Sequence, residues 1–440
     1  MIGLYLGIAV SLAGAQQKPE LTLDEALAIA GQDAFAIRLA QSDIAEAKAN
    51  KMVADAALGP TATLSGTSFW SEAHTPGGFG QNGQNTSNSI SLSVRQIIDI
   101  SKVNTLRADA SGIGVKISEY AKQTALNDLR AQVKSKFFAA LQAKELVQIR
   151  TSAVAAAKER LDKAQIRFDN KAIPKFDVLR LQADLKKAEQ DLVQAKGGFE
   201  VAKQDLNNLL ARPVDTDYDP VATTEFESGL EDISVYVRGS LANRPELLQA
   251  EAVVISLTKI REAEQRAALP TLTLQAGHTQ TIDPGFGQPE SQTTASATLS
   301  VPIVTGGAVR ANTQRAREQE ERAKILLQQA QLGVAFEVRI AVTQFETALA
   351  AYATAVENRN LAEEALRLAQ LRYDEEVGIL LDVITSQADL TAAEASQATA
   401  AFQLRAAYAS LQRAVGTDDL KNLPPPPASP AAQPAGEVGQ

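Results

Sequence analysis

The feature that most restricts this chain is the spacing of its prolines: none occurs between Pro76 and Pro174, and none between Pro302 and Pro424. Proline stops a helix because it lacks the amide donor and its ring clashes with the preceding turn. Within these tracts, about 101–173 and 306–377 are stretches of roughly 70 residues that read as long helical segments, and a helix of roughly 67 residues extends about 100 Å at 1.5 Å per residue. In the second, Val338, Val342, Phe345, Leu349, Tyr352 and Val356 alternate spacings of four and three, the seam of a coiled coil. Only 5% of residues are aromatic and one is tryptophan, so extended helices are expected rather than one large compact core.

The two tracts belong to two copies of one plan. RFDNKAIPKFDVLRLQADLKKAEQDL from Arg167 aligns without a gap with RYDEEVGILLDVITSQADLTAAEASQ from Arg372. Phe168 answers Tyr373, Asp177 answers Asp382, Gln182 answers Gln387, and Ala183-Asp184-Leu185 answers Ala388-Asp389-Leu390. PTATLSG at Pro60 and PTLTLQAG at Pro270 keep nearly the same offset. The reading is an internal duplication, with repeats at 21–213 and 233–417 joined by an equatorial linker at 214–232. Each copy opens with a helix, to about Leu58 in the first and over Ile233 to Leu269 in the second. The first starts at a capping box on Thr22 and Glu25. After each long helix comes a turn and a helix of about 35 residues, half the long helix's length.

Between the opening helix and the long one, each copy carries two segments of strict alternation, expected as strands at 60–73, 88–100, 270–282 and 292–304. Ala62, Leu64 and Trp70 oppose Thr61, Thr63, Ser65 and Thr67; Ile90, Leu92 and Val94 oppose Ser89, Ser91, Ser93 and Arg95. Leu272 and Leu274 oppose Thr271, Thr273 and Gln275, and Ala295, Ala297, Leu299 and Val301 oppose Thr294, Ser296, Thr298 and Ser300. An apolar face and a hydroxyl face fit a barrel with lipid outside and water inside. They equally fit a soluble sheet packed on one side. The neighbouring helices, too long and alanine-rich to cover a sheet compactly, favour the barrel. Four strands cannot close in lipid, so oligomerisation has to complete it. Arg95 is assigned to the lumen or to the strand's lower end, and Phe69 and Trp70 to an interfacial belt or ordinary packing.

Several classes of function are excluded. The net charge of −9, with charges interspersed, gives no basic patch for nucleic acid. The chain has no cysteine, and its two histidines, His74 and His278, are far apart, so no metal site or cofactor is expected. Gly78-Phe79-Gly80-Gln81-Asn82-Gly83 spells a dinucleotide motif but lies between two strands, and 74–87 reads as a flexible outer loop. No convergent acid, base or nucleophile marks an enzyme. Residues 1–15 read as a signal peptide, apolar up to Ala13-Gly14-Ala15. No other apolar stretch is expected to reach the length of about 18 residues that a spanning helix needs. The tail 418–440, with its run of prolines, is expected to be disordered.

In these residues the chain resembles the TolC-type outer-membrane efflux family from Leu21 to about Thr417. The resemblance is carried by Leu21-Thr22-Leu23-Asp24-Glu25-Ala26-Leu27, Arg244-Pro245-Glu246-Leu247, Leu269-Pro270-Thr271-Leu272, Ser300-Val301-Pro302 with Gly306-Gly307, and the segment from Arg372 to Gln387. It implies a mainly α protein with a transmembrane β-barrel: a homotrimer whose four strands per chain build a twelve-stranded barrel, continued by a helical periplasmic tunnel. The implied function is the exit duct of a tripartite efflux or type I secretion system, passing drugs, small toxic molecules or proteins. The implied partners are a periplasmic adaptor, an inner-membrane pump and outer-membrane lipid. A non-channel exported coiled-coil scaffold is the alternative that the heptads alone allow.

The resemblance also assigns the pore entrance to the turns near 167–182 and 372–387. Asp382 matches the family's pore-lining aspartate, whereas position alone reads it as a helix-dipole partner. Thr385 stands where some members carry a second acid, and Gly378 falls two positions later than the usual glycine. Asp177 and Arg180 are expected at the entrance, within reach of an i, i+3 contact. Arg167, Phe168, Pro174, Arg372, Tyr373 and Gly378 are expected at the adaptor-docking tip.

Overall fold

The computed structural model describes residues 19–73, 83–221, 233–282, 284, 289–375, 377–417 and 420. The expected signal peptide, most of the outer loop and nearly all of the tail lie outside them. The order is β1 (Glu20–Leu21), α1 (Leu23–Asp33), α2 (Phe35–Ala56), β2 (Thr61–Ala73), β3 (Gly83–Ile98), α3 (Val103–Asp169) and α4 (Lys175–Leu209). It continues with β4 (Asp219–Pro220), α5 (Ile233–Asn243), α6 (Pro245–Arg266), β5 (Thr271–Thr281), β6 (Ser291–Ser300), α7 (Ala308–Asp374) and α8 (Leu380–Val415). The long helices α3 and α7 both have 67 residues, at the offset that separates Asp177 from Asp382.

The opening helices differ from their expected form, because each is broken in two. In the second copy Pro245 drives Arg244 to an extended conformation, φ −69° and ψ 124°. In the first copy no proline forces it, yet Ala34 is extended at φ −59° and ψ 136°. Ala34 and Ile37 are buried there in a core cluster, so tertiary packing rather than local sequence makes the break.

The chain divides into two compact units, the first from Met1–Arg38, Ala125–Asn243 and Val334–Gln440, the second from Leu39–Thr124 and Arg244–Gly333. The first unit has a core for each copy. In one, Ala26, Ala30 and Ile37 meet Val133 and Phe137 of α3, Leu206 and Leu210 of α4, and Tyr218. In the other, Tyr236 of α5 meets Val338, Val342 and Phe345 of α7 and Leu404, Leu411 and Val415 of α8, with Leu349 and Tyr352 packed against them. The heptad seam read from the sequence is therefore buried at Val338, Val342 and Phe345 and partly buried at Leu349, Tyr352 and Val356.

The segment read as a linker contributes to the first core. β4 pairs in parallel with β1, Leu21 opposite Pro220. Tyr218 is buried and its hydroxyl donates to the Lys203 carbonyl at 3.2 Å. Burial pulls the Lys203 ammonium down, but hydrogen bonds to Asp217 and Glu200 outweigh it and raise the pKa above the usual lysine value.

The second unit contains a four-stranded antiparallel sheet in the order β2-β3-β5-β6. β3 begins at Gly83 rather than 88, so 83–87 is strand where the sequence reading has loop: Ala73 pairs with Gly83 and Phe69 with Ser87. Those residues carry no apolar alternation, and backbone pairing alone extends the hairpin. α7 departs from another expectation, since one of its stretches is apolar enough to pass as a membrane span by length and composition. The helix is rich in alanine, as coiled-coil helices are, and alanine raises its mean hydropathy.

Candidate functional site

Register gathers most apolar positions on one face: Leu64 opposite Leu92, Val94 opposite Ala276, Ala276 opposite Ala295, and Leu272 opposite Leu299, with the hydrogen-bonded His278 and Thr293 interrupting it beside Leu92. Most of this face is left uncovered, Leu64 at 72%, Trp70 at 59% and Leu299 at 61% exposure, while Leu272 is half-buried. Apolar surface of that extent costs free energy in water. The other face carries hydroxyls: Thr63, Ser93 and Thr294 meet across Gly277, and the Ser65 and Ser91 hydroxyls lie 2.7 Å apart. Phe69 and Trp70, adjacent in sequence, fall on opposite faces. Among the described strands β2 and β6 each have one neighbour, leaving two open edges. An open edge inside lipid leaves amides and carbonyls unpaired at several kcal/mol each.

The turns of the first unit hold the residues singled out from the sequence. α3 ends in a Schellman motif: Lys171, at φ 60°, donates to the Phe168 carbonyl at 2.8 Å and Ala172 to that of Arg167 at 2.8 Å. Pro174 then caps α4 with an extended backbone, placing Asp177 in its first turn. In the second copy Val377 and Gly378 both donate to the Arg372 carbonyl, at 3.0 and 2.9 Å. A Cβ on Gly378 would lie 3.0 Å from that of Arg372, so close approach requires glycine here.

Asp382 is exposed in the first turn of α8. Thr385 turns its hydroxyl back to the carbonyls of Leu381 and Asp382, at 2.9 and 3.1 Å, so it is spent on its own helix. The i, i+3 spacing brings Asp177 within reach of Arg180, but among the described residues no ion pair joins them. Both are partly exposed, where hydration competes with a single pair worth a few tenths of a kcal/mol.

Other residues from the two copies do meet. The Arg167 guanidinium lies 5.2 Å from the centre of the Tyr373 ring and 3.5 Å from a carboxylate oxygen of Asp374. Next to it the mostly buried Arg160 donates to Gln387 Oε1 at 2.9 Å and to Asp184 Oδ2 at 3.1 Å. Asp184 and Gln387 were visible as repeat-matched positions, but Arg160 was missed, because nothing local marks an arginine in a long helix as shared. A cleft of about 640 Å³ opens there, lined by Arg160, Lys163, Arg167, Tyr373, Asp374 and Gln387 among others. Lys163 pairs with Glu159 on the same wall, and that hydrogen bond raises the Lys163 pKa above the usual lysine value.

The chain matches the family model described as outer membrane efflux protein over residues 26–212 and 237–417. It is 23% identical over 391 residues to nodulation protein T of Rhizobium leguminosarum bv. trifolii, covering 84% of this chain and 80% of that one. To protein CyaE of Bordetella pertussis it is 24% identical over 410 residues, 91% and 85% of the two chains. The fold is similar to the Campylobacter jejuni CmeC outer membrane channel, with a TM-score of 0.76 at 17% identity over 90% of this chain and 85% of that one. It is also similar to the Neisseria gonorrhoeae MtrE outer membrane channel, with a TM-score of 0.72 at 20% identity and 91% of both chains covered. The family model spans both repeats and the sheet leaves an apolar face uncovered: the chain belongs to the outer membrane efflux protein family and is an outer-membrane exit duct with a large periplasmic helical part.

Proposed function

We propose that the chain works as a homotrimer whose three sheets close edge to edge into a twelve-stranded barrel in outer-membrane lipid, with the helices continuing it as a periplasmic tunnel. The observation that carries this is the sheet: an exposed apolar face, a hydroxyl face and two open edges on one four-stranded unit. Three copies would pair every edge and turn every apolar face to lipid. A coiled-coil scaffold leaves that face in water without a use. The repeats, 21–213 and 233–417, give each protomer two strand pairs and two helix pairs, so a trimer has a sixfold-like wall.

The duct acts within a tripartite efflux or type I secretion system, taking drugs, small toxic molecules or proteins from an inner-membrane pump through a periplasmic adaptor. It conducts passively, as a channel rather than an enzyme. The entrance lies at the α3–α4 and α7–α8 turns, where three copies of Asp382 ring the axis and concentrate negative potential, favouring cations. Asp177, Arg180 and Thr385 flank that ring. The adaptor docks against Arg167, Phe168, Pro174, Arg372, Tyr373 and Gly378, and the Arg167–Tyr373–Asp374 contact supports this by giving the two copies one shared surface.

Single-channel currents in a planar bilayer test the entrance. Asp382→Asn is expected to lower the cation preference of discrete conductance steps. Steps with the parent's selectivity would return Asp382 to a helix-dipole role, and no steps even after deletion of both turns would favour the scaffold.

A further inference from the structure

Among the described strand residues, one charged side chain lies on the hydroxyl face. Arg95 of β3 sits opposite Thr61 of β2 and Gln275 of β5, and Gln275 opposite Ser296 of β6. The row across the sheet at this level is thus threonine, arginine, glutamine and serine, with no carboxylate to neutralise the guanidinium. Arg95 is exposed and the contacts of this row reach only its backbone, the Thr61 hydroxyl donating to the Arg95 carbonyl at 3.3 Å. It lies close to Ile98, where β3 ends before α3 begins, at the foot of the strands.

We propose that the three copies of Arg95 form a cationic ring inside the foot of the barrel that concentrates anionic solutes at that level, in series with the acidic ring at the entrance. This rests on the trimeric barrel above. Twelve strands spaced about 4.8 Å apart and tilted about 40° close at a radius of about 12 Å, so an arginine reaching about 6 Å inward holds its charge about 6 Å from the axis. Three such charges, screened over a Debye length of about 8 Å, enrich a monovalent anion on the axis about fivefold at physiological salt. The enrichment falls below about twofold in 1 M salt, where the Debye length is about 3 Å. The hydroxyls and amide around the ring supply no opposing charge, and solutes bearing carboxylate, phosphate or sulfate gain most.

The test compares the parent with R95Q and R95K in a planar bilayer, reading the chloride-to-potassium permeability ratio from reversal potentials in a KCl gradient below about 0.15 M. Because the potential that enriches the anion about fivefold depletes the cation equally, R95Q is expected to lower the ratio by up to about twentyfold and R95K to keep it, with the difference shrinking to about threefold or less near 1 M. A ratio unchanged in R95Q overturns the ring. Because the chain has no cysteine, R95C and L64C give a second readout that needs no open entrance. In lipid vesicles a membrane-impermeant charged thiol reagent is expected to label R95C and spare L64C, and the reverse pattern removes Arg95 from the lumen. A protein that sediments as a monomer and does not enter vesicles overturns the barrel itself, a result distinct from an inserted trimer indifferent to residue 95.

Discussion

Replacing Leu92 by lysine separates a lipid-facing sheet from a water-facing one. Leu92 is about half exposed and sits opposite Leu64 and His278 in the apolar face. From Ile98, where β3 ends, the strand climbs about 15 Å to Leu92 at about 3.3 Å per residue and about 40° of tilt, near the middle of an apolar band about 25 Å tall. A lysine at that depth costs about 3 kcal/mol per chain, about 9 kcal/mol for three. The control is its neighbour: Ser91→Lys stands at the same depth on the hydroxyl face and loses only the Ser65–Ser91 bond, about 1 kcal/mol. Folding into lipid vesicles across a urea series, with heat-resistant trimers resolved by electrophoresis, measures both. L92K is expected to move the midpoint far more than S91K. If L92K folds like the parent, or both variants lose equally, the apolar face does not meet lipid.

Two further outcomes follow from the duplication and from one ion pair. Ala211 and Gly416 end α4 and α8 at matched positions, both left-handed at φ 55° and 85°; A211G is expected to stabilise by about 0.5 kcal/mol and G416A to destabilise by about 1 kcal/mol, opposite signs read as shifts of the helical melting midpoint at fixed protein concentration. Glu320 of α7 meets Lys324 and Arg261 of α6 at 2.9 and 2.5 Å, and the Lys324 hydrogen bond, with that of Arg261, holds its pKa below the usual carboxylate value. The sign follows: its stabilisation is complete above the unfolded carboxyl's value and fades as pH falls through the lower folded one, so the parent's advantage over E320Q, about 1 kcal/mol near neutrality, is expected to shrink below about pH 4.5 in pH-dependent melts.

Much of this architecture was written locally. Freedom from proline over two tracts permits helices of 67 residues, and alternation assigns each strand residue a face because successive side chains point opposite ways. The aligned copies gave matched turns at Pro174 and Ile379, the N-caps of α4 and α8. What local pattern could not carry were choices made by distant partners. The break at Ala34 exists because Ala34 and Ile37 are buried against α3 and α4. The polar run 83–87 is strand because β2 offers unpaired backbone beside it. Asp184 and Gln387, read as repeat markers, are held together by Arg160 from a third helix, while Asp177 and Arg180, adjacent by helical spacing, stay apart. Proline, alternation and repeat offset act through the covalent chain and are legible along it. Burial, edge pairing and shared hydrogen bonds depend on which segments meet in space, and only the tertiary structure decides that.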